Sequence, residues 1–110
     1  MFKYRRASAH YANRVLSDLG ATAEDVAFSL DGYGVRGCPN DSSNNPVALY
    51  LHAVMMGDRR VHRVELAADG LHLWPAGGWR PIVVPLTAAV AEFMLLFDAG
   101  HFPWLTIAPP

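Results

Sequence analysis

The spacing of the apolar residues changes from helical to alternating near residue 60, and this change limits the chain to a mixed fold. Before it, apolar residues recur at three- and four-residue intervals; after it, the segment RRVHRVELAADGLHLWP alternates. An Asp69-Gly70 pair lies within the alternating segment, and this dipeptide is the strongest short signal for a hairpin. The sequence therefore predicts a β-hairpin that follows a helical half.

Four helices are predicted, and the first covers residues 8–19 and ends at Gly20. Tyr11, Val15 and Leu19 recur at four-residue spacing, which predicts that they face the core. Ala12 and Leu16 are expected beside them.

Three residues have the chemistry of helix N-caps, because their side-chain oxygens can accept from the backbone N–H three positions later. Thr22 precedes Asp25 at the third helical position, as in a capping box. Asn45 precedes Pro46, and proline suits a first turn. Thr87 begins the last helix. The buried positions predicted for these three helices are Ala23, Val26, Ala27 and Leu30; Val47, Leu51, Val54 and Met55; and Val90, Phe93, Met94 and Phe97.

The hairpin register follows from the turn. If Asp69 and Gly70 form the loop, Ala68 lies opposite Leu71 and Leu66 lies opposite Leu73. One face then carries Val64, Leu66, Leu71 and Leu73, and the other carries Arg63, Glu65, His72 and Trp74, with Glu65 opposite Trp74. A register slip of one residue would exchange the two faces.

A third strand is predicted within RPIVVPL, residues 80–86. Pro81 and Pro85 lie on either side of it and place it at the sheet edge. The order α-α-α-β-β-β-α predicts an α+β fold, a small three-stranded antiparallel sheet packed with about four helices. We expect one domain over residues 1–110, with 1–7 and 106–110 as candidates for flexible ends and HFPWLTIAPP as an extended tail.

The composition narrows the function classes. The chain is 52% hydrophobic and 17% charged, with a formal net charge of −1, so attraction to an anionic partner has to come from a local patch. The apolar stretches are too short to span a bilayer, and the N-terminus lacks the apolar core of a secretory signal. We expect a cytoplasmic protein without membrane contact. The histidines and the single cysteine form no metal motif, so no metal or cofactor is expected.

Cys38 is the one weak catalytic candidate. A thiol becomes a nucleophile beside a base or a helix N-terminus, and Cys38 lies seven residues before Asn45, so the loop would have to fold back. The alternative is an incidental, partly buried thiol.

The same loop, with Arg36, could also hold an anion at the start of the third helix. The alternative is that the loop is only a connection and that Asn45 caps the helix.

Arginines near the N-terminus and the first strand suggest a nucleic-acid surface, if the fold brings them together. The alternative is a solvated basic face. The candidates are Arg5, Arg6, Arg14, Arg59, Arg60 and Arg63.

The leading hypothesis is an accessory or regulatory protein that binds another macromolecule, with a protein as the first choice of partner, because uncharged aromatic residues remain on irregular segments. Trp79, Trp104 and Phe102 are the candidates there. The alternative is that these aromatic residues pack over the core of the domain itself, which is the expectation for Phe102. The loop before the third helix is also longer than a connection requires, and it adds Arg36, Asn40 and Asp41 as partner-binding candidates. A homo-oligomer is a further option.

Two passages resemble segments of small uncharacterised actinobacterial and actinophage proteins. One is the glycine-bearing loop that leads into PVALYL at 46–51, and the other is FMLLFDAGHFPWL at 93–105. Such sequences often carry a cysteine before the helical proline, where this chain has Asn45. The resemblance implies no known activity and is compatible with a mobile-element setting.

Overall fold

The protein has four α-helices and a three-stranded antiparallel sheet in the predicted order, which confirms the α+β fold. The computed structural model describes residues 2–55, 61–75, 77 and 79–107, with side chains from residue 9 onward. The elements are α1 (Phe2–Ser17), α2 (Ala23–Gly32), α3 (Pro46–Met55), β1 (Arg63–Ala67), β2 (Gly70–Trp74), β3 (Ile82–Val84), α4 (Ala88–Asp98) and a 3₁₀ helix, η1 (Pro103–Leu105). Among the described residues, no helix combines the length and apolar character needed to cross a membrane.

The core lies between one face of the sheet and the helices. The strand order is β1-β2-β3, so β3 is an edge strand as predicted. α1 packs on β3 and α3 on β1, while α2 packs against α3, α4 and η1. Val64, Leu71, Leu73 and Val84 are buried on the covered face of the sheet.

The hairpin register differs by two residues from the prediction. Leu66 pairs with Leu71, and Glu65 pairs with His72 rather than with Trp74. The turn is formed by Ala68 and Asp69, since Gly70 already belongs to β2. A shift of two preserves the side-chain alternation, so the assignment of residues to the two faces is confirmed.

Close packing explains why Gly70 lies in the strand and not in the turn. Its φ is 140°, and a Cβ there would clash with the carbonyl oxygen of Val84 on the neighbouring strand. The residue therefore permits an approach between β2 and β3 that a side chain would block.

All three predicted caps are confirmed. The Thr22 hydroxyl accepts from the Asp25 N–H at 3.1 Å, and the Thr87 hydroxyl accepts from the Val90 N–H at 3.1 Å. The Asn45 Oδ1 accepts from the Ala48 N–H at 2.8 Å. The predicted inward positions of α2 and α4 are buried, and α3 differs at Val54, which is half-buried, while Ala48 is fully buried.

The first helix was predicted less well. It begins at Phe2 and ends at Ser17, and its buried side chains are Ala12 and Leu16, with Leu19 just beyond. Tyr11 is 52% exposed, so its predicted core position is wrong. The sequence also places Gly57 where a glycine would end α3, but Gly57 lies outside the described residues.

The C-terminal segment is not the extended tail that was predicted. Residues 103–105 form η1, in which Leu105 is fully buried. Thr106 then forms a parallel bridge with Gly37, and the Ile107 N–H donates to the Gly37 carbonyl at 2.9 Å. The segment is thus attached to the loop between α2 and α3.

Replacing the buried cap of α3 should destabilise the fold. Asn45 is 3% exposed and also donates from Nδ2 to the Ser42 carbonyl at 3.1 Å. We expect Asn45→Ala to lower the free energy of unfolding by about 1–2 kcal/mol, because the buried Ala48 N–H loses its capping acceptor and the Ser42 carbonyl loses one of its two donors. Urea denaturation measures this change. Asn45→Ser, which keeps a capping oxygen, should lose less; equal stability of Asn45→Ala and wild type would contradict the assignment.

Candidate functional site

The α2–α3 loop, residues 33–45, has a structural use that accounts for much of its length. The Gly37 N–H donates to the Leu105 carbonyl at 2.8 Å, which joins the loop to η1. The Leu66 N–H donates to the Ser42 carbonyl at 2.8 Å, which joins it to β1. The loop therefore connects segments that are distant in the sequence.

The two polar partner-binding candidates of this loop are engaged within the protein. Asn40 has a left-handed backbone, with φ of 59°, and its N–H donates to the Asp98 carboxylate at 2.8 Å. Asp41 Oδ1 accepts from the N–H groups of Ser43 and Asn44, each at 3.1 Å, and its Oδ2 accepts from the Asn44 side-chain amide at 3.0 Å. These bonds order the loop, and a role in binding stays a prediction.

Arg36 lies at the surface of the loop. Its Nη2 is 3.0 Å from Asp31 Oδ1, and its Nη1 donates to the Val35 carbonyl at 2.8 Å. An anion at the start of α3 would compete with Asp31 for this guanidinium. Anion binding therefore remains a prediction.

Cys38 is partly buried and has a free thiol. Its N–H donates to the Asn44 carbonyl at 2.7 Å, so the loop does fold back towards the start of α3. Within the described part of the chain, no histidine side chain hydrogen bonds to the thiol, and no cluster of three His, Cys, Asp or Glu side chains could hold a metal ion. Catalysis by Cys38 stays a prediction.

Only part of the proposed nucleic-acid surface can be placed. Arg59 and Arg60 lie outside the described residues, and Arg5 and Arg6 lie in α1 with side chains that are not described. Arg14 is exposed on the same helix. Arg63 makes two contacts on the outer face of the sheet. Its guanidinium lies 4.8 Å from the Trp74 ring centroid and 3.7 Å from Glu65 Oε1.

The two tryptophan candidates have different surroundings. Trp79 is 79% exposed, and the Arg80 guanidinium lies 4.5 Å from its ring centroid. Trp104 is 54% exposed and contacts Phe102 edge-on, with ring centroids 5.5 Å apart. Trp104 is therefore connected to the body of the protein through another aromatic ring.

Four aromatic rings form a continuous stack from the core to the surface. Phe97 and Phe93 are buried in α4, with centroids 5.8 Å apart. Phe93 stacks on Phe102 at 5.4 Å, and Phe102 contacts Trp104. We call these four residues the aromatic stack. Because its inner half is fully buried, the stack supports an exposed indole on a rigid base.

Phe102 holds an unusual backbone conformation within the stack. Its φ and ψ are 58° and 50°, in the left-handed region that costs a non-glycine residue about 1–2 kcal/mol. The residue turns the chain from Gly100 into η1, so that Leu105 enters the core while Trp104 faces outward. The packing of Phe102 on Phe93 offsets this cost.

A second site was missed by the sequence reasoning. Three tyrosines, Tyr11 on α1, Tyr33 at the end of α2 and Tyr50 on α3, line a cavity of about 410 Å³. Tyr33 and Tyr50 stack with centroids 5.0 Å apart. We call this the tyrosine pocket. Its remaining lining residues are Arg14, Val15, Asp18 and Val54.

The sequence did contain a signal for this pocket. Tyr11, Arg14, Val15 and Asp18 follow the i, i+3, i+4, i+7 spacing of one helix face. Two charged residues within an otherwise apolar stripe are unusual for a core face, because unpaired charges are rarely buried. This mixture of charged and apolar residues could have indicated that the helix face around Tyr11 is only partly covered by the rest of the protein.

No protein-family model, curated protein or solved structure matches the chain. The resemblance to actinobacterial and actinophage proteins therefore stays a prediction.

The loop should loosen in acid because of Asp41. The Asn44 side-chain amide, followed by the N–H groups of Ser43 and Asn44, holds the pKa of Asp41 below its ordinary value. A lowered carboxyl pKa contributes stability above the unfolded pKa, and this stability is lost as the pH falls through the folded pKa. We expect amide protection at Ser43 and Asn44 to decrease in that range, as measured by NMR. Asp41→Asn should remove the pH dependence, and a carboxyl that titrates at its ordinary value would contradict this geometry.

The tyrosine pocket should be detectable by alkaline titration. Burial first, then the Tyr33 hydroxyl and the charges of nearby Tyr11 and Asp18, raise the pKa of Tyr50 to about 12. Stability from this phenol is present below the unfolded pKa of about 10 and is lost as the pH rises through the folded value. The phenolate absorbance that distinguishes wild type from Tyr50→Phe should therefore appear only as the pH rises well above ~10. A difference that develops near pH ~10 would contradict the pocket geometry.

Proposed function

We propose that the chain is a small accessory protein that binds a protein partner through a surface centred on Trp104. The observation that carries this proposal is the aromatic stack, which supports a half-exposed indole on buried rings of the core. Tryptophans that are fixed before binding lose little side-chain entropy, and they are enriched among the residues that dominate binding energy.

The surroundings of Trp104 support the same conclusion. Pro103 and Ile107 are also exposed, and no Asp, Glu, Lys or Arg occurs after Asp98. The centres of protein interfaces are depleted of charged residues and enriched in aromatic ones. The backbone bonds of Gly37 hold the flanking Leu105 and Ile107 in place, so this apolar surface is presented in one conformation.

Trp79 is the weaker anchor of the two. Its ring contacts Arg80, an exposed side chain, and it does not belong to the aromatic stack. Ordering such a ring on binding costs more conformational entropy. We therefore assign Trp79 a secondary role. Nucleic-acid binding through the arginines and catalysis by Cys38 stay the alternative hypotheses, and no contact among the described residues favours either over the Trp104 surface.

The test is capture of a partner from the host with the immobilised protein, followed by measurement of the dissociation constant for the recovered partner. Trp104→Ala should weaken binding about thirtyfold, the effect of losing a contact worth about 2 kcal/mol. Trp79→Ala should weaken it less. Leu95→Ala removes a side chain that is 74% exposed on the outer face of α4 and serves as the matched control; it should not change affinity.

Two results would contradict this proposal. One is that no partner is recovered, and the other is that Trp104→Ala lowers the free energy of unfolding without changing recovery. Sedimentation of the protein alone gives a further check: self-association that Trp104→Ala abolishes would identify a second copy as the partner. Self-association that this variant leaves intact would place any homo-oligomer interface elsewhere and would count against Trp104 as the main contact.

A further inference from the structure

The tyrosine pocket carries one positive and one negative side chain on the same wall. Arg14 and Asp18 are four residues apart on α1, and both are exposed. Among the ion pairs of the described residues, none joins these two. An arginine that precedes its acid by four positions is in the less favourable order for such a pair. Within the described part of the chain, both charges can therefore face a ligand.

The aromatic rings of the pocket reinforce the attraction of the Asp18 carboxylate for a cation. The faces of tyrosine rings carry negative potential and attract cations that lie over them. Tyr33 and Tyr50 form a stacked pair, and the Asp18 carboxylate is close enough to Tyr50 to influence its ionisation. The ring faces therefore favour a cation together with the Asp18 carboxylate.

A ligand with only one charge fits this arrangement poorly. A simple cation would meet Arg14, and a simple anion would meet Asp18 and the faces of the rings. A molecule with both charges satisfies both side chains at once. The cavity of about 410 Å³ lies near the lower end of the range for small-molecule sites, which suits a compact ligand.

We propose that the tyrosine pocket binds a small zwitterion, with its cationic nitrogen against the tyrosine rings and Asp18 and its carboxylate or phosphate against Arg14. The ligand chemistry is shared by free betaines, by amino acids and by the phosphocholine headgroup of lipids. The pocket is formed by α1, α2 and α3, and it does not include any residue of the aromatic stack. This proposal is therefore independent of the partner surface at Trp104.

Titration of the full chain with defined probes, followed by ¹H–¹⁵N NMR, tests this assignment. Phosphocholine and glycine betaine are the zwitterions, and choline and inorganic phosphate supply the single charges. We expect at least one zwitterion to shift the amide signals of the lining residues and to bind about threefold or more tightly than either single charge, as expected for one added exposed ion pair. Sedimentation with phosphatidylcholine vesicles distinguishes a lipid headgroup from a free metabolite, and either source supports the assignment.

Three variants locate the contacts. Arg14→Gln and Asp18→Asn should each weaken zwitterion binding about threefold to fivefold, since each removes one exposed charge contact. Tyr33→Leu should weaken it about fivefold, through loss of the ring face. Arg80→Gln removes an exposed arginine outside the pocket and should leave affinity unchanged.

The proposal is overturned if neither zwitterion shifts these signals, or if choline or phosphate alone binds as tightly as the zwitterions. It is also overturned if the three pocket variants and Arg80→Gln all have the same effect.

Discussion

Several parts of the molecule depend on the packing of Gly37 against the start of α3. A Cβ at this position would lie 2.6 Å from the Asn44 carbonyl oxygen and 2.7 Å from the Pro46 nitrogen, where only hydrogen can fit. The same residue donates to Leu105 and accepts from Ile107. Gly37 thus joins the α2–α3 loop, the start of α3 and the C-terminal segment, and each of these depends on the absence of a side chain there.

The presentation of Trp104 depends on this junction. Leu105 is fixed on its N-terminal side by the left-handed turn at Phe102 and on its C-terminal side by the bonds of Gly37. With both sides held, Leu105 remains in the core and Trp104 remains on the surface. Phe102 keeps its left-handed backbone conformation because its ring packing and the hydrogen bonds of Gly37 both stabilise this path of the chain over other backbone conformations.

Features that depend on local chemistry could be predicted from the sequence, and features that depend on distant contacts could not. Thr22 and Thr87 cap helices through bonds that span three residues, so no knowledge of the tertiary fold was required. The hairpin turn lies one residue before its predicted position because Gly70 is needed in β2, where that strand approaches β3. This contact involves a strand from elsewhere in the chain, so the hairpin sequence alone could not reveal it. Tyr11 was misassigned for the same reason: spacing shows that a face is apolar, but its neighbours α2 and α3 decide whether that face is covered.

The two candidate surfaces share α2, which bears on how their variants should be interpreted. Tyr33, the C-cap of α2, lines the tyrosine pocket, while the core face of the same helix packs against α4 and η1. A substitution that unfolds α2 would affect both surfaces together. Tyr33 and Trp104 are each more than half exposed, so shortening either side chain removes few core contacts. An effect confined to one surface can therefore be attributed to that surface and not to loss of the fold.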